Sequence, residues 1–124
     1  MRIVRRQELM TLPAGTLFCE LQQEWVFSGL ALKGDTIDSF GENVDFWVRY
    51  LDWPYADDTG EAFDRLEEMS NDSGVSYPIE SAYSRHGLYD DDRRYLVYDA
   101  DDTSALVSDV SPLSLLPWRD KRLA

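Results

Sequence analysis

The chain is poor in the residues that usually carry covalent chemistry: it holds a single cysteine, Cys19, and a single histidine, His86. One cysteine excludes an intramolecular disulfide, and the opening residues lack the long apolar core of a secretory signal peptide. No apolar run approaches the roughly 18 residues that a membrane-spanning helix needs. We therefore expect a cytoplasmic protein, in a reducing compartment and without membrane attachment.

Basic side chains are also scarce, most of all in the middle of the chain. The net charge of the 124 residues is −12, and residues 57 to 109 carry 15 carboxylates against 4 basic side chains. Direct binding to a phosphate backbone requires clustered Lys and Arg, and anionic lipid headgroups repel a chain of this charge. The composition argues against a direct nucleic-acid reader and favours a basic partner.

Catalytic motifs are missing: there is no Gly-rich phosphate loop, no nucleophile elbow and no Cys/His zinc spacing. Cys19 and His86 are formally a nucleophile and a base, but Cys19 alternates with Leu17 and Leu21 on the expected core face of a strand. A free thiol there behaves as a small hydrophobe, so we expect a buried, unreactive cysteine and a surface histidine. The sequence predicts no catalytic residue and no enzyme activity.

Two acidic clusters, Asp90 to Asp92 and Asp99 to Asp102, are the candidates for a metal site, since oxygen ligands suit Ca²⁺ and Mg²⁺. Their spacing disagrees with a calcium-binding loop: counted from Asp90, the sixth position is Tyr95, where such a loop needs glycine. A solvated turn and a helix cap explain both clusters. We therefore predict no metal and no other cofactor.

Two periodicities outline the secondary structure. Residues 44 to 53 alternate at period two, whereas Phe63, Leu66 and Met69 recur at helical spacing after Asp58, a predicted N-cap. The predicted strands are 16 to 22, 25 to 33, 44 to 53 and 94 to 99. The predicted helices lie within 5 to 10, within 58 to 70, and after a cap at Asp102 and Thr103.

These elements predict one domain over residues 1 to 124, of the α+β class. We expect a small, strongly bent antiparallel sheet of three to five strands, shaped like a half-barrel, with two or three short helices against one face. Gly29 interrupts the second strand and indicates a bulge or bend. Residues 75 to 87 read as an ordered loop, and the tail is broken at Pro112 and Pro117.

Two segments, LMTLPAGTLFCEL at residues 9 to 21 and SRHGLYDDDRRYLVYDADDTSALV at residues 84 to 107, resemble segments of small acidic proteins encoded by tailed phages and prophages. The resemblance covers about a third of the chain and transfers no functional residue. Small acidic phage proteins often act by occupying host proteins, sometimes by imitating the charge of nucleic acid. The resemblance implies a phage origin, with the cytoplasm of a bacterial host as the location.

The charge and the resemblance favour one function: a protein that presents carboxylates to a basic, nucleic-acid-binding host or defence protein and inhibits it. Aromatic side chains would add contact area, and Trp47 and Trp53 lie on a strand face that needs a cover. The predicted partner-binding residues are Asp64, Glu67, Glu68, Asp90, Asp91, Asp92, Asp99, Asp101, Asp102, Trp47 and Trp53.

Two alternatives stay open at this point. A pocket lined by the aromatic strands would bind or sequester a small ligand, or serve an enzyme. An acidic surface that only maintains solubility would fit a virion or housekeeping protein. The sequence leaves self-association open as well.

Overall fold

The structure is a computed structural model, and it describes residues 1 to 110. The predicted breaks at Pro112 and Pro117 lie outside the described residues. In chain order the strands are β1 Arg2–Arg5, β2 Leu17–Gln23, β3 Val26–Phe27, β4 Ala31–Ser39, β5 Glu42–Tyr50, β6 Ser84–Arg85 and β7 Arg94–Val97. The helices are α1 Arg6–Thr11, α2 Thr59–Asn71 and α3 Ala100–Asp109.

All seven strands belong to one open antiparallel sheet with the order β1, β7, β2, β4, β5, β6, and β3 pairs with β2. The α+β class is confirmed, but the predicted count of three to five strands is wrong. The missed strands are short: β1 has four residues, and β6 has two, within the segment predicted as a loop. β3, also of two residues, lies within the predicted strand 25 to 33. A period-two pattern needs more residues than these strands offer.

The predicted strand over 25 to 33 is also wrong in its extent. Regular pairing with β2 resumes at Ala31, and β4 then continues to Ser39 through a polar stretch that shows no alternation. A Cβ built at Gly29 would lie 2.4 Å from Asp52 Oδ2, so a side chain at this position would require the Asp52 carboxylate to move. Phe40 and Gly41, with φ of 52° and 83°, make the turn into β5.

Helices α2 and α3 have aspartates at their N-caps, whereas the N-cap of α1 is Arg5. Asp58 Oδ1 accepts a hydrogen bond of 2.7 Å from the N–H of Glu61, which confirms the predicted N-cap of α2. The predicted cap at Asp102 is wrong, because the N-cap of α3 is Asp99, whose own N–H donates to Asp102 Oδ2 at 3.1 Å. No helix among residues 1 to 110 is long and apolar enough to cross a membrane.

The main core lies on one face of the sheet, where α1 covers it. Phe18 packs edge-on against Phe46 and Tyr95, with ring centroids 6.0 and 5.8 Å away, and Leu9 and Met10 of α1 complete the cluster. Leu17, Cys19 and Leu21, the predicted core face of β2, are buried as well. Both faces of β2 are therefore covered, and Phe18 was missed because its side chain lies on the face opposite to the expected one.

The segment after β6 reaches across this core. The His86 ring stacks on Phe46 at 4.5 Å and lies 5.9 Å from Tyr95 of β7, a strand near the other end of the strand order. His86 is thus buried rather than on the surface, with a side chain only 2% exposed. The predicted half-barrel shape stays a prediction, but these contacts show that residues from distant strands meet over one face.

Candidate functional site

A buried charge cluster lies where α1 meets the sheet, and Asp45 is its centre. Asp45 is fully buried, and its Oδ1 lies 3.1 Å from Nη2 of Arg6, which is itself 2% exposed. Arg85 Nε donates to Asp45 Oδ2 at 3.1 Å, and the N–H of Gly87 lies 3.2 Å from both oxygens. The Arg6 guanidinium also lies over the Tyr89 ring. This cluster fixes α1 and the segment after β6 to one strand.

The protonation of Asp45 follows from these contacts. Burial alone raises the pKa of a carboxyl, but here hydrogen bonds from the N–H groups of Phe46 and Gly87 outweigh it, together with the charges of Arg85 and Arg6. The net effect holds the pKa of Asp45 below its usual value. Asp45 is therefore a charged structural anchor at neutral pH, with its oxygens already occupied by the chain itself.

His86 and Cys19 lie on different sides of β2. His86 Nε2 lies 3.4 Å from Glu20 Oε2, whereas Cys19 hydrogen bonds with Tyr98. Adjacent residues of a strand point to opposite faces, so the contact with Glu20 places His86 away from the thiol. Burial raises the pKa of Cys19, more than the Tyr98 hydrogen bond lowers it. The structure therefore does not bring the two together.

The acidic clusters that flank β7 face cations from the start of the chain. Because β1 pairs antiparallel with β7, Arg5 lies beside the start of β7 and Arg2 beside its end. Arg5 Nη1 lies 3.4 Å from Asp92 Oδ1, and Arg2 Nε lies 3.3 Å from Asp99 Oδ1. The amino group of Met1 lies 2.6 Å from Asp102 Oδ2. Much of the charge predicted to bind a partner here is neutralised by the chain itself.

Other members of the predicted set near β7 differ in their pairing. Asp90 Oδ2 lies 3.8 Å from Arg93 Nε, and Asp90 Oδ1 accepts from the N–H of Asp92. Asp91 and Asp101 are exposed to solvent. The antiparallel pairing of β1 and β7 therefore leaves two isolated carboxylates rather than a continuous acidic surface.

Helix α2 presents a different surface, which we call the α2 acidic face and define as Asp57, Asp64 and Glu67. All three are exposed, and no Lys or Arg among residues 1 to 110 lies within ion-pairing distance of them. Glu68, also predicted to bind the partner, is half-buried and accepts a hydrogen bond from the Tyr77 hydroxyl. Asp64 and Glu67 are the members of the predicted set on α2 that keep their charge available, and Asp57, which was not predicted, adds a third carboxylate just before the helix.

The apolar side of α2 is covered less completely than its spacing predicts. Ala62 is buried, but Phe63 is 57% exposed although its ring packs edge-on against Trp53 at 5.4 Å. Leu66 and Met69 line a gap of about 270 Å³ between the helix and the end of β5. Trp53 thus gains the predicted cover, whereas Trp47 stays 39% exposed on β5.

A groove of about 390 Å³ adjoins the α2 acidic face, between the end of β5, the start of α2 and residues 80 to 84. We call it the aromatic groove. Its aromatic walls are Tyr50, Trp53 and Tyr83, and its carboxylates are Asp57, Asp58 and Glu80. A larger cavity, of about 770 Å³, lies between residues 12 to 16 and α3, but Tyr98 is its only aromatic lining residue among those described.

No three side chains of His, Cys, Asp or Glu within the described part of the chain are grouped so that they could hold a metal ion. Comparisons of the chain with protein-family models, with curated proteins and with solved structures find no match. The resemblance to small acidic phage proteins therefore stays a prediction.

Sequence reasoning missed Asp45, and it predicted a pocket lined by the aromatic strands as an alternative without identifying the pocket's far wall. The sequence does not single out Asp45, because an aspartate in an alternating strand is as typical of a solvent-exposed position as of a buried ion pair. Its partner Arg6 is also 39 positions away in the sequence. The aromatic groove joins Tyr50 to Tyr83 across 33 positions of sequence. The aromatic richness of residues 44 to 55 was the only available pointer to it.

Proposed function

We propose that this chain is a protein-binding domain that engages and inhibits a basic, nucleic-acid-binding partner through the α2 acidic face. The observation that carries the proposal is the pairing state of the carboxylates. Beside β7, Asp92, Asp99 and Asp102 lie against Arg2, Arg5 and the Met1 amino group, whereas Asp57, Asp64 and Glu67 are exposed and have no cation among residues 1 to 110.

The local charge supports this choice of surface. Residues 57 to 72 carry seven carboxylates and a single basic side chain, Arg65. Arg65 is held within the helix by Glu61 and donates to the backbone oxygen of Tyr55. A concentrated negative field of this kind steers a positively charged partner and raises its association rate.

Exposed aromatic side chains next to the charge supply the other requirement of a binding surface. Phe63 on α2 and Tyr55 before it are each more than a third exposed. Rings of this size are enriched among the residues that contribute most to protein interfaces. Charge would then set the association rate, while the aromatic contacts would slow dissociation.

The resemblance to small acidic phage proteins supports the same class of partner, a host protein that binds nucleic acid. Asp64 and Glu67 on α2, together with Asp57 just before it, would stand in for backbone phosphates in the partner's basic groove. Asp91 and Asp101, which lie at opposite ends of β7, would contribute at most to steering.

The experiment is affinity capture from a bacterial lysate at two salt concentrations, followed by direct binding measurements with the purified partner. We expect the wild-type chain to retain a basic protein at low salt and to lose it steeply as salt rises. Asp64→Lys combined with Glu67→Lys should abolish the interaction. These substitutions lie on the exposed side of α2, so the fold should survive them.

The matched control reverses two other exposed carboxylates, with Asp38→Lys and Glu42→Lys, at the β4 to β5 turn and the opposite end of β5 from α2. The net charge of the control equals that of the test variant. If both variants lost the partner equally, binding would depend on total charge and the assignment to α2 would fail. If neither lost it, the acidic surface would serve solubility alone.

A further inference from the structure

The aromatic groove combines two chemistries that favour one kind of ligand. Tyr50 and Tyr83 are 37% and 44% exposed, so their rings are open to a ligand at the groove wall. Trp53 forms part of the same wall, and Phe63 supports it from α2. No Lys or Arg is among the lining residues of the described chain.

The carboxylates of the groove keep acceptor capacity. Both hydrogen bonds that Glu80 makes, from the N–H groups of Ser81 and Ala82, go to Oε1 at 2.9 Å. Oε2 of Glu80 has no hydrogen-bond partner among residues 1 to 110, and Asp57 is exposed. The first N–H groups of α2 place a partial positive charge of about half a unit nearby. Asp58 caps that terminus, and the two remaining carboxylates leave the groove negative overall.

The same region already holds one guanidinium group. The Arg65 guanidinium lies over the Tyr77 ring at 4.5 Å and over the Tyr55 ring at 5.9 Å, with Glu61 as its ion-pair partner. The aromatic groove is lined by the same two kinds of side chain, aromatic rings and carboxylates. The groove therefore matches a ligand chemistry that the neighbouring surface demonstrably accommodates.

We infer that the aromatic groove binds the guanidinium group of an arginine side chain on the basic partner. This inference rests on the proposed function and names the anchor of that interaction. The planar guanidinium stacks on Tyr50, Trp53 or Tyr83 and donates to Glu80 and Asp57 at its edge. A lysine ammonium is more strongly hydrated and has no flat face, so it gains less from the same walls.

The test titrates the intact chain with N-acetyl-arginine methylamide while amide and indole N–H signals are followed by NMR. The lysine analogue and the uncharged citrulline analogue serve as comparison ligands. We expect a saturable shift of the Trp53 indole signal in the millimolar range with the arginine probe. The lysine probe should bind at least about threefold more weakly, and citrulline should give no saturable shift. Disappearance of the signal in Trp53→Phe assigns it.

Two variants locate the binding. Tyr83→Ala removes one ring, and Asp57→Asn with Glu80→Gln removes two charges; each should weaken arginine binding about threefold or more. The charge-matched control, Asp38→Asn with Glu42→Gln, should bind as the wild type does. Equal binding of arginine and citrulline, equal binding of arginine and lysine, or unchanged binding in both groove variants would overturn the inference.

The outcome separates this inference from the proposed function. If the arginine probe fails to bind while partner capture still depends on Asp64 and Glu67, the proposed function stands and the inference about the groove fails. The partner then binds the α2 acidic face without an arginine in the groove. If the probe binds in the groove but no basic partner depends on α2, the groove is an arginine site and the proposed function fails.

Discussion

The start of the chain and helix α2 differ in how they treat negative charge. Residues 1 to 6 supply the cations for Asp45, Asp92, Asp99 and Asp102, which lie far along the sequence. Helix α2 lies away from that segment, and its exposed carboxylates have no such partner in the described residues. The comparison shows that a charge count along the sequence does not measure the charge that a surface offers, because strand pairing decides which carboxylates are neutralised.

The largest expected effect concerns the most buried pair. Arg6→Met should lower the free energy of unfolding by about 3 kcal/mol, because it leaves the Asp45 carboxylate buried with Arg85 as its only cation among residues 1 to 110. Urea denaturation measures the change. Arg5→Met is the matched control, since the pair of Arg5 with Asp92 is exposed and should contribute little. Equal losses of stability in both variants would show that the buried pair stabilises the fold no more than the exposed pair does.

The pH dependence of stability tests the contribution of the buried Asp45 carboxylate in a second way. The pKa of Asp45 is lower in the folded chain than in the unfolded chain, so its charge stabilises the fold above the unfolded value of about 3.9. That contribution is lost as pH falls through the lower, folded pKa. The stability difference between wild type and Asp45→Asn should thus be constant from pH 7 to about pH 5 and shrink below about pH 4. A difference that grew on acidification would contradict the assignment.

Lys33 differs from Asp45 in that its buried charge forms no ion pair within residues 1 to 110. Lys33 is 1% exposed, and its ammonium group bonds to the Gly34 carbonyl at 3.0 Å and to Thr36 Oγ1 at 2.8 Å. Burial lowers the pKa of Lys33, more than the charge of Asp35 raises it. Lys33→Met, which keeps the volume without the charge, should stabilise the fold by about 1 kcal/mol at pH 7.

The pH dependence of that variant has a definite sign. Because the folded pKa of Lys33 is lowered, the unfolded chain binds more protons between the two pKa values, and wild-type stability rises with pH there. The advantage of Lys33→Met should therefore narrow as pH approaches 10. A melting series of both proteins from pH 7 to 10 measures it, and an advantage that widened with pH would refute the account.

The sequence was sufficient for the elements with long periodic patterns. β5 and α2 were both predicted, because eight or more residues of alternation or helical spacing outweigh local exceptions. β1 was not, since Ile3 and Val4 between arginines give no period, and missing β1 meant missing the partners of Asp92 and Asp99. Long-range pairs such as Arg6 with Asp45 depend on which strands are neighbours, and that information is spread over the whole chain.

The smallest expected effect on stability is at α2, and it separates the two regions most directly. Asp64→Asn with Glu67→Gln removes exposed charges that have no cation within residues 1 to 110 and that repel five other carboxylates between residues 57 and 72. The free energy of unfolding should stay within about 0.5 kcal/mol of the wild type and, if it shifts, rise. Asp99→Asn should lower stability instead, because Asn can replace Asp at the N-cap of α3 but cannot pair with Arg2 and the Met1 amino group. The opposite signs follow from one cause, the presence or absence of a cation from the start of the chain.

Denaturation of both variants at low and high salt measures these changes in the free energy of unfolding. A loss of stability in the α2 variant as large as that in Asp99→Asn would show that the α2 carboxylates stabilise the fold rather than remaining available for a partner.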